Sequence, residues 1–360
     1  MRVGVVGLPQ TGKTTVCNAV TGAHGEVGGY RAGGAADVAV LRVPDERLEF
    51  LTSLFEPTKT VHATIELADI AGIFTHMGKG GEDSARAFAI ARDTDALLMV
   101  LRSFSDPAVP HVLGSVDPAR DYARMDEELL LADLSVVENR TEHILREVKR
   151  KPVAEREQLQ HELQLLEGCR KAVEQQHGIR SVQLSEAQEK MLRSYAFLTL
   201  KPLVCVLNVG EDQLGKASTA PQLQGLEPPP VEMCGKLEME IAQLDEADRA
   251  EFMEDAGLTD LAALRLVRAC YEAMGLRTFF TYAHDEVRAW TVHAGGNAVD
   301  AAAKVHTDMA RGFIRAEVVA FDDLKACGST KEAKARGELR LEGKDYEVQD
   351  GDVITFRFGV

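Results

Sequence analysis

The sequence is short of positive charge, of paired cysteines and of long apolar runs, and each shortage excludes a class of protein. It holds 41 lysines and arginines against 57 acidic residues, a net charge of −16, which argues against a protein that coats polyanions over a broad surface. Its six cysteines are dispersed without a C-x-x-C pair, so we expect reduced thiols rather than disulfides or a zinc ribbon. No apolar run approaches the ~20 residues that cross a bilayer, and the first residues are not typical of a signal peptide. We therefore expect a cytoplasmic protein without a membrane segment.

Apolar runs separated by helical stretches predict an α/β fold. A chain of 360 residues, 45% of them hydrophobic and 27% charged, is expected to form two or three globular domains. Runs that are apolar on both faces are typical of a mostly parallel sheet covered by helices. The predicted strands are Val3–Val6, Ala63–Asp69, Ala96–Leu101 and Leu203–Leu207.

A helical insertion and a strand-rich tail complete the predicted organisation. Before and after Pro152, apolar residues recur at spacings of three, four or seven, which predicts two amphipathic helices in an antiparallel hairpin. From Thr278 the pattern changes to short strands with one helix, which predicts a small mixed sheet. The predicted domains are a P-loop domain in two pieces, 1–122 and 198–277, a hairpin insertion, 123–197, and a C-terminal domain, 278–360.

The segment after the first strand matches the phosphate-binding loop known as Walker A. The pattern is Gly7-x4-Gly12-Lys13-Thr14, and it lies between a strand and a helix, as that motif requires. Its glycines let backbone N–H groups turn towards phosphates, and the helix dipole adds positive charge. We expect Lys13 to bridge the β- and γ-phosphates and the Thr14 hydroxyl to bind Mg²⁺. This part of the sequence therefore predicts nucleotide binding.

A second motif, Asp69-x-x-Gly72, closes the second predicted strand. In switch NTPases the acid holds Mg²⁺ through water, and the glycine amide contacts the γ-phosphate. We therefore predict Asp69 as a metal residue and Gly72 as a catalytic residue beside Lys13. Ile73 stands where Ras-like enzymes carry the glutamine that orients the attacking water, so we expect slow hydrolysis.

The fourth predicted strand ends in Asn208-Val209-Gly210-Glu211, where a GTPase would show Asn-Lys-x-Asp. Losing the lysine and lengthening the acid moves the carboxylate that pairs with guanine. Since a site built for one base edge rejects another by leaving polar groups unpaired, we expect reduced guanine preference and favour adenine. The segment Cys234-Gly235-Lys236 follows the next strand, where a backbone loop usually completes the base contact.

Taken in order, these motifs resemble the YchF / Obg-like ATPase family over nearly the whole chain. The tail is the most specific part. The matching segments include Gly7-Leu8-Pro9, Val43-Pro44-Asp45, Asp69–Gly72, Leu131–Leu134, Asn208–Glu211, Thr278–Thr281, Glu286–Val292, His306–Asp308, Gly312–Val318, Leu341–Tyr346 and Val348–Val353.

The resemblance implies a P-loop NTPase with an inserted antiparallel helical hairpin and a C-terminal TGS domain, which is a ubiquitin-like β-grasp module. It also implies a switch protein that binds ATP with Mg²⁺, slowly hydrolyses it to ADP, and associates with the ribosome in translation and stress responses. The family's nucleotide-contacting residues match Gln10, Thr11, Gly12, Lys13, Thr14 and Thr15 in the loop and Asn208, Val209 and Glu211 near the base.

The sequence departs from the family pattern in three places. Gln10 replaces an asparagine linked to monovalent cation use, and residues 29–36 offer no hydroxyl except Tyr30 where the family has a Mg²⁺-binding threonine. Glu82–Arg86 replaces a glycine-rich segment that carries an asparagine. A nucleotide-binding scaffold with little or no hydrolysis is therefore one alternative, and a GTPase is another.

Positive charge concentrates at the predicted turn of the hairpin. We call Arg146, Lys149, Arg150, Lys151 and Arg156 the basic turn. Residues 146–156 contain only two acidic residues, Glu147 and Glu155. One interpretation is a local contact with ribosomal RNA, and the other is a solvated helix end with cations near its dipole. The expected partners are ATP and the ribosome, with contacts from the hairpin and the TGS domain, no membrane, and a monomeric chain.

Overall fold

The computed structural model describes residues 1–22, 37–70, 82–216, 220–255, 260–283 and 285–359. Within these limits the chain divides into two compact units. The first comprises Met1–Ala39 and Glu66–Leu266, and the second comprises Val40–Ile65 and Val267–Val360. Among the helices in these ranges, none is long and apolar enough to cross a membrane.

The strands are numbered in chain order. They are β1 (Arg2–Val6), β2 (Asp37–Arg42), β3 (Lys59–Val61), β4 (Thr64–Asp69), β5 (Ala96–Arg102), β6 (Leu203–Asn208), β7 (Val231–Met233), β8 (Leu276–Ala283), β9 (Glu286–His293), β10 (Phe313–Ala320), β11 (Arg340–Glu342) and β12 (Asp352–Phe358).

The helices are numbered in the same way. They are α1 (Lys13–Gly22), α2 (Glu46–Phe55), α3 (Glu82–Arg92), α4 (Pro118–Val148), α5 (Val153–Glu174), α6 (Glu186–Leu192), α7 (Gly235–Ala242), α8 (Glu246–Asp255), α9 (Ala262–Ala273), α10 (Ala298–Val305), α11 (Thr307–Arg311), α12 (Phe321–Cys327) and α13 (Thr330–Arg336).

The first sheet has the strand order β2-β4-β1-β5-β6-β7. Its pairs β1–β4, β1–β5, β5–β6 and β6–β7 are all parallel, and every residue of β5 and β6 is buried. The predicted α/β fold with a mostly parallel sheet is confirmed. Because parallel strands end at one edge, the carboxyl ends of β1, β4, β5, β6 and β7 lie there, which is where ligands bind in open α/β sheets.

Helices α4 and α5 form the predicted hairpin. Its core consists of buried residues on the facing stripes, among them Val137, Ile144, Leu166 and Cys169. Helix α4 begins at Pro118, earlier than the apolar pattern predicted, because Asp117 caps its N-terminus through the Arg120 N–H. The apolar spacing identified the stripe but not the polar first turns.

The base of the hairpin is fixed by a buried carboxylate. Asp133 accepts hydrogen bonds from the guanidinium of Arg92, at 3.0 Å, and from the Leu198 and Thr199 N–H groups, at 2.9 and 2.7 Å. Its side chain is fully buried, and such a charge is stable only when it is paired and hydrogen-bonded. Since Arg92 ends α3, this cluster joins α3 to the hairpin.

The second unit contains the other sheet, with the order β11-β10-β12-β8-β9-β3. Of its C-terminal strands, the first and last, β8 and β12, are parallel neighbours, whereas β8–β9 and β10–β12 are antiparallel. Helix α10 packs Ala298, Ala301 and Ala302 against this sheet, beside Phe279 and Ile354. The order second-first-fifth-third-fourth, with α10 and the short α11 between the second and third strands, is a β-grasp, as predicted.

Residues 40–65 join the second unit although they lie early in the chain. Strand β3 pairs parallel with β9, with Lys59 opposite Glu286, and Arg47 of α2 forms an ion pair with Asp350 at 2.6 Å. No pattern in the sequence predicted β2, β3 or α2. The domain boundaries 1–122 with 198–277, 123–197 and 278–360 remain a prediction.

Candidate nucleotide-binding site

The loop between β1 and α1 has the backbone geometry that its glycines allow. Gly12 adopts φ +85°, and a Cβ there would lie 2.3 Å from Asn208 Nδ2. A Cβ on Gly7 would lie 2.6 Å from the Val100 carbonyl oxygen. Both glycines are therefore required by close approach to β5 and β6, and the turn leads the chain directly into the N-terminus of α1.

Lys13 is the first residue of α1, and its side chain returns to the loop. Nζ donates to the carbonyl oxygens of Gly7, at 3.0 Å, and Leu8, at 3.1 Å. Burial lowers the pKa of the ammonium group, and the charge of Asp69 opposes that shift. The lysine is thus held over the phosphate-binding loop, within the field of the predicted metal residue.

The two predicted metal residues are in direct contact. Thr14 Oγ1 donates to Asp69 Oδ2 at 2.8 Å, which joins the start of α1 to the end of β4. The other carboxylate oxygen, Asp69 Oδ1, is buried and has no hydrogen-bond partner among the residues that the structure describes. A hydroxyl oxygen and a carboxylate oxygen that is free of hydrogen bonds are ligands that Mg²⁺ prefers, so these residues fit that ion. Gly72 and Ile73 lie outside the described residues, as do residues 29–36.

Asn208 connects the phosphate-binding loop to the loop after β7. Its side chain is 4% exposed; Nδ2 donates to the Thr11 carbonyl oxygen at 2.9 Å, and Oδ1 accepts from the Gly235 N–H at 3.1 Å. The next residue, Val209, is buried and donates its N–H to the Met233 carbonyl oxygen at 3.0 Å. One amide therefore positions two loops that are distant in sequence.

Of the remaining base-site residues, Glu211 and Lys236 are exposed, whereas Cys234 and Gly235 are buried beside them. Glu211 begins a short turn after β6, and its carboxylate accepts from Lys236 Nζ at 3.3 Å. That hydrogen bond raises the pKa of Lys236. Cys234 is buried at the N-terminus of α7, and Gly235 follows with its N–H on Asn208. The predicted segments 10–15, 69, 208–211 and 234–236 thus meet at one edge of the sheet.

Sequence reasoning missed two residues of this edge, Arg102 and Phe104. Arg102 ends β5 and is 1% exposed, with its guanidinium 4.3 Å from the centre of the Phe104 ring. The Phe104 ring edge lies 3.9 Å from the position of a Cβ on Gly12, so this aromatic borders the loop. A charged residue that ends a wholly apolar strand was the available signal.

Comparisons with known proteins match the chain over its full length. Residues 2–140 match the family model described as 50S ribosome-binding GTPase, and residues 276–359 match the C-terminal YchF-GTPase model, described as a protein of unknown function. The Bacillus subtilis ribosome-binding ATPase YchF is 39% identical, with 100% of each chain covered. The Escherichia coli O157:H7 protein of that name is 36% identical over 100% of this chain and 99% of its own. The structure of the Schizosaccharomyces pombe YchF GTPase superposes with a TM-score of 0.87 at 26% identity, covering 99% of this chain and 97% of the other.

Proposed function

The chain belongs to the YchF family, and from that membership we propose how its residues carry out the family's activity. It is a ribosome-binding ATPase with a P-loop, since relatives named ribosome-binding ATPase match it over nearly the full length of both chains. The observation that carries the residue-level proposal is the meeting of the phosphate-binding loop, Asp69 and Asn208 at one edge of the sheet. ATP is the ligand we assign to that edge.

The loop residues are assigned to the phosphates. The N–H groups of residues 10–15 face the polyphosphate at the N-terminus of α1, and Lys13 bridges the β- and γ-phosphates. The position of Lys13 supports this assignment, because its Nζ donates to the carbonyl oxygens of Gly7 and Leu8 in the loop. Lys13 and the Gly72 amide are assigned to stabilising charge on the transferred phosphoryl group.

Thr14 and Asp69 are assigned to Mg²⁺. The ion would neutralise charge on the phosphate oxygens as the γ-phosphate leaves. Thr14 supplies a hydroxyl oxygen, and Asp69 holds the Thr14 side chain through Oδ2 while keeping Oδ1 available. We expect no all-protein cage, because Mg²⁺ in such sites keeps waters and binds phosphates.

Hydrolysis is proposed to be slow, because Ile73 cannot orient water. A single-turnover assay with ATP and Mg²⁺ tests this: the wild type should form ADP measurably faster than Lys13→Ala, with Lys190→Ala as an exposed-lysine control at the wild-type rate. Equal rates for wild type and Lys13→Ala would favour the nucleotide-binding scaffold, for which the missing threonine in residues 29–36 is the supporting observation.

Adenine is proposed over guanine. The Glu211 carboxylate is engaged with Lys236, so it differs from the free aspartate with which GTPases pair the guanine donors. Competition between ATP and GTP for the same site tests this directly. Tighter binding of GTP than ATP would contradict the assignment.

The basic turn is proposed to contact ribosomal RNA. It links the end of α4 to the start of α5; Lys149 and Arg150 are exposed, whereas Arg146 pairs with Glu142 at 2.9 Å. Charge reversal at Lys149, Arg150 and Lys151 should weaken ribosome co-sedimentation, with a shallower salt dependence, because phosphate contacts release counterions. Reversal at Lys190, Arg193 and Lys216, which are exposed and lie outside the turn, is the matched control.

The TGS domain is proposed as a second ribosome contact, and the chain is proposed to act as a monomer in the cytoplasm, where ribosomes are found. Light scattering of the nucleotide-free and ATP-bound protein checks the oligomeric state. A concentration-dependent dimer would contradict it.

A further inference from the structure

Arg102 is a buried cation held by main-chain oxygens. It is 1% exposed, and its guanidinium donates to the carbonyl oxygens of Val109, at 2.7 Å, and Phe104, at 3.2 Å. A third, longer contact of 3.5 Å joins it to the carbonyl oxygen of Gln10 in the phosphate-binding loop. Within the described part of the chain, it forms no ion pair with a carboxylate.

Two buried carboxylates of the same unit are instead paired with arginines. Asp133 has Arg92 at 3.0 Å, and Asp121 has Arg120 at 2.7 Å and His111 at 2.8 Å. Removing a cation from water is costly, and carbonyl dipoles compensate less than a carboxylate does. An arginine that is buried against carbonyl oxygens therefore contributes little to the free energy of unfolding. Its position beside the phosphate-binding loop indicates a role in that site instead.

Two contacts of Arg102 are close to the nucleotide site: one is to Gln10 in the phosphate-binding loop, and the other is to Phe104 beside that loop. Gln10 adopts φ +64°, a left-handed conformation that is uncommon for a residue other than glycine, and its carbonyl oxygen faces the Arg102 guanidinium at 3.5 Å. Phe104 lies with its ring over the guanidinium at 4.3 Å, and its N–H donates to the Asn208 carbonyl oxygen at 3.1 Å. Arg102 thus joins the phosphate-binding loop to the segment after β5, which is itself hydrogen-bonded to the end of β6.

We infer that Arg102 is a positioning residue for nucleotide binding, which acts by holding the Gln10 backbone and the Phe104 ring in place beside the loop. The inference rests on the proposed ATP site. Arg102 itself is covered, so it acts through these two residues rather than by touching the phosphates.

The test measures ATP affinity and nucleotide-free stability on the same full-length variants. Arg102→Met should raise the Kd for ATP about tenfold or more, the equivalent of about 1.4 kcal/mol. Its unfolding midpoint in urea without nucleotide should be equal to or above that of the wild type, because replacing a buried charge by an apolar side chain of similar size is often neutral or stabilising. Under turnover, KM for ATP should rise with little change in kcat, as expected when uniform binding is lost.

Three further variants separate positioning from charge and from folding. Arg102→Lys keeps the charge but loses the flat fork, so it should also weaken ATP binding. Phe104→Leu combined with Arg102→Met should weaken binding by less than the sum of the two single changes, since the ring and the guanidinium share one contact. Arg140→Met, which removes an arginine paired with Glu162 in the hairpin, should leave the Kd unchanged.

Four results would overturn the inference. They are wild-type affinity in Arg102→Met, full rescue by Arg102→Lys, additive effects in the double variant, and a Kd loss that follows reduced stability and also occurs in Arg140→Met. Absence of ATP binding by the wild type would instead refute the proposed ATP site.

Discussion

Asn208→Ala is the perturbation whose size follows most directly from the structure. The amide makes two buried hydrogen bonds, to the Thr11 carbonyl oxygen at 2.9 Å and from the Gly235 N–H at 3.1 Å. Removing the amide leaves two buried partners unpaired, and each such group costs about 1–3 kcal/mol. We expect a loss of about 2–6 kcal/mol in the free energy of unfolding of the nucleotide-free protein.

The same variant should bind ATP more weakly, because both loops that the amide positions border the proposed nucleotide. At an ATP concentration of about 100 times Kd, ligand binding adds about 2.7 kcal/mol to wild-type stability. Urea unfolding with and without that ATP concentration measures both effects at once. The ATP-dependent increment should shrink in Asn208→Ala.

The matched control is Asn297→Ala in the second unit. Its Oδ1 also accepts two hydrogen bonds, from the Val299 and Asp300 N–H groups at 2.9 and 3.0 Å, where it caps α10. It should lose about 1 kcal/mol of stability with an unchanged ATP increment. A wild-type ATP increment in Asn208→Ala, or a change in its stability of less than about 0.5 kcal/mol, would show that Asn208 does not position the two loops.

The remaining predictions concern the Mg²⁺ residues, the acidic partners of Arg47 in the second unit, and the pH dependence of stability. Thr14→Val should raise the Mg²⁺ concentration for half-maximal turnover roughly tenfold, whereas Thr21→Val on the same helix should not; equal Mg²⁺ dependence of the two would exclude Thr14 as a ligand. Arg47→Ala should cost the second unit about 2–3 kcal/mol, measured by urea unfolding, because its guanidinium donates to both Asp45 and Asp350, and an unchanged midpoint would contradict this. Burial raises the pKa of Asp352 above 3.8, so the contribution of its protonated form to stability is fully present below that pH and is lost as pH rises through the folded-state pKa. Asp352→Asn, which keeps an acceptor for Tyr346 and Gln349, should flatten that part of the pH–stability curve. A curve identical to that of the wild type would show that another group governs it.

Local patterns predicted the elements whose burial follows from neighbouring residues. The strands β1, β4, β5 and β6 lie within one or two residues of the apolar runs, and α4 and α5 follow the spacing around Pro152. Strand β3 escaped prediction because its three residues are half-exposed or exposed and have no apolar pattern. It forms because β9, more than two hundred residues later, offers hydrogen bonds to it.

By itself, the sequence determined the phosphate-binding loop, the hairpin and the family, because these depend on spacings within a few turns of chain. The tertiary structure decided which distant residues complete the site. Asn208 reaches Thr11 across 197 positions, and Arg102 reaches Gln10 across 92, only because β5 lies between β1 and β6 and all three strands end at one edge. Strand order and register arise from long-range hydrogen bonding and burial, which no local periodicity encodes.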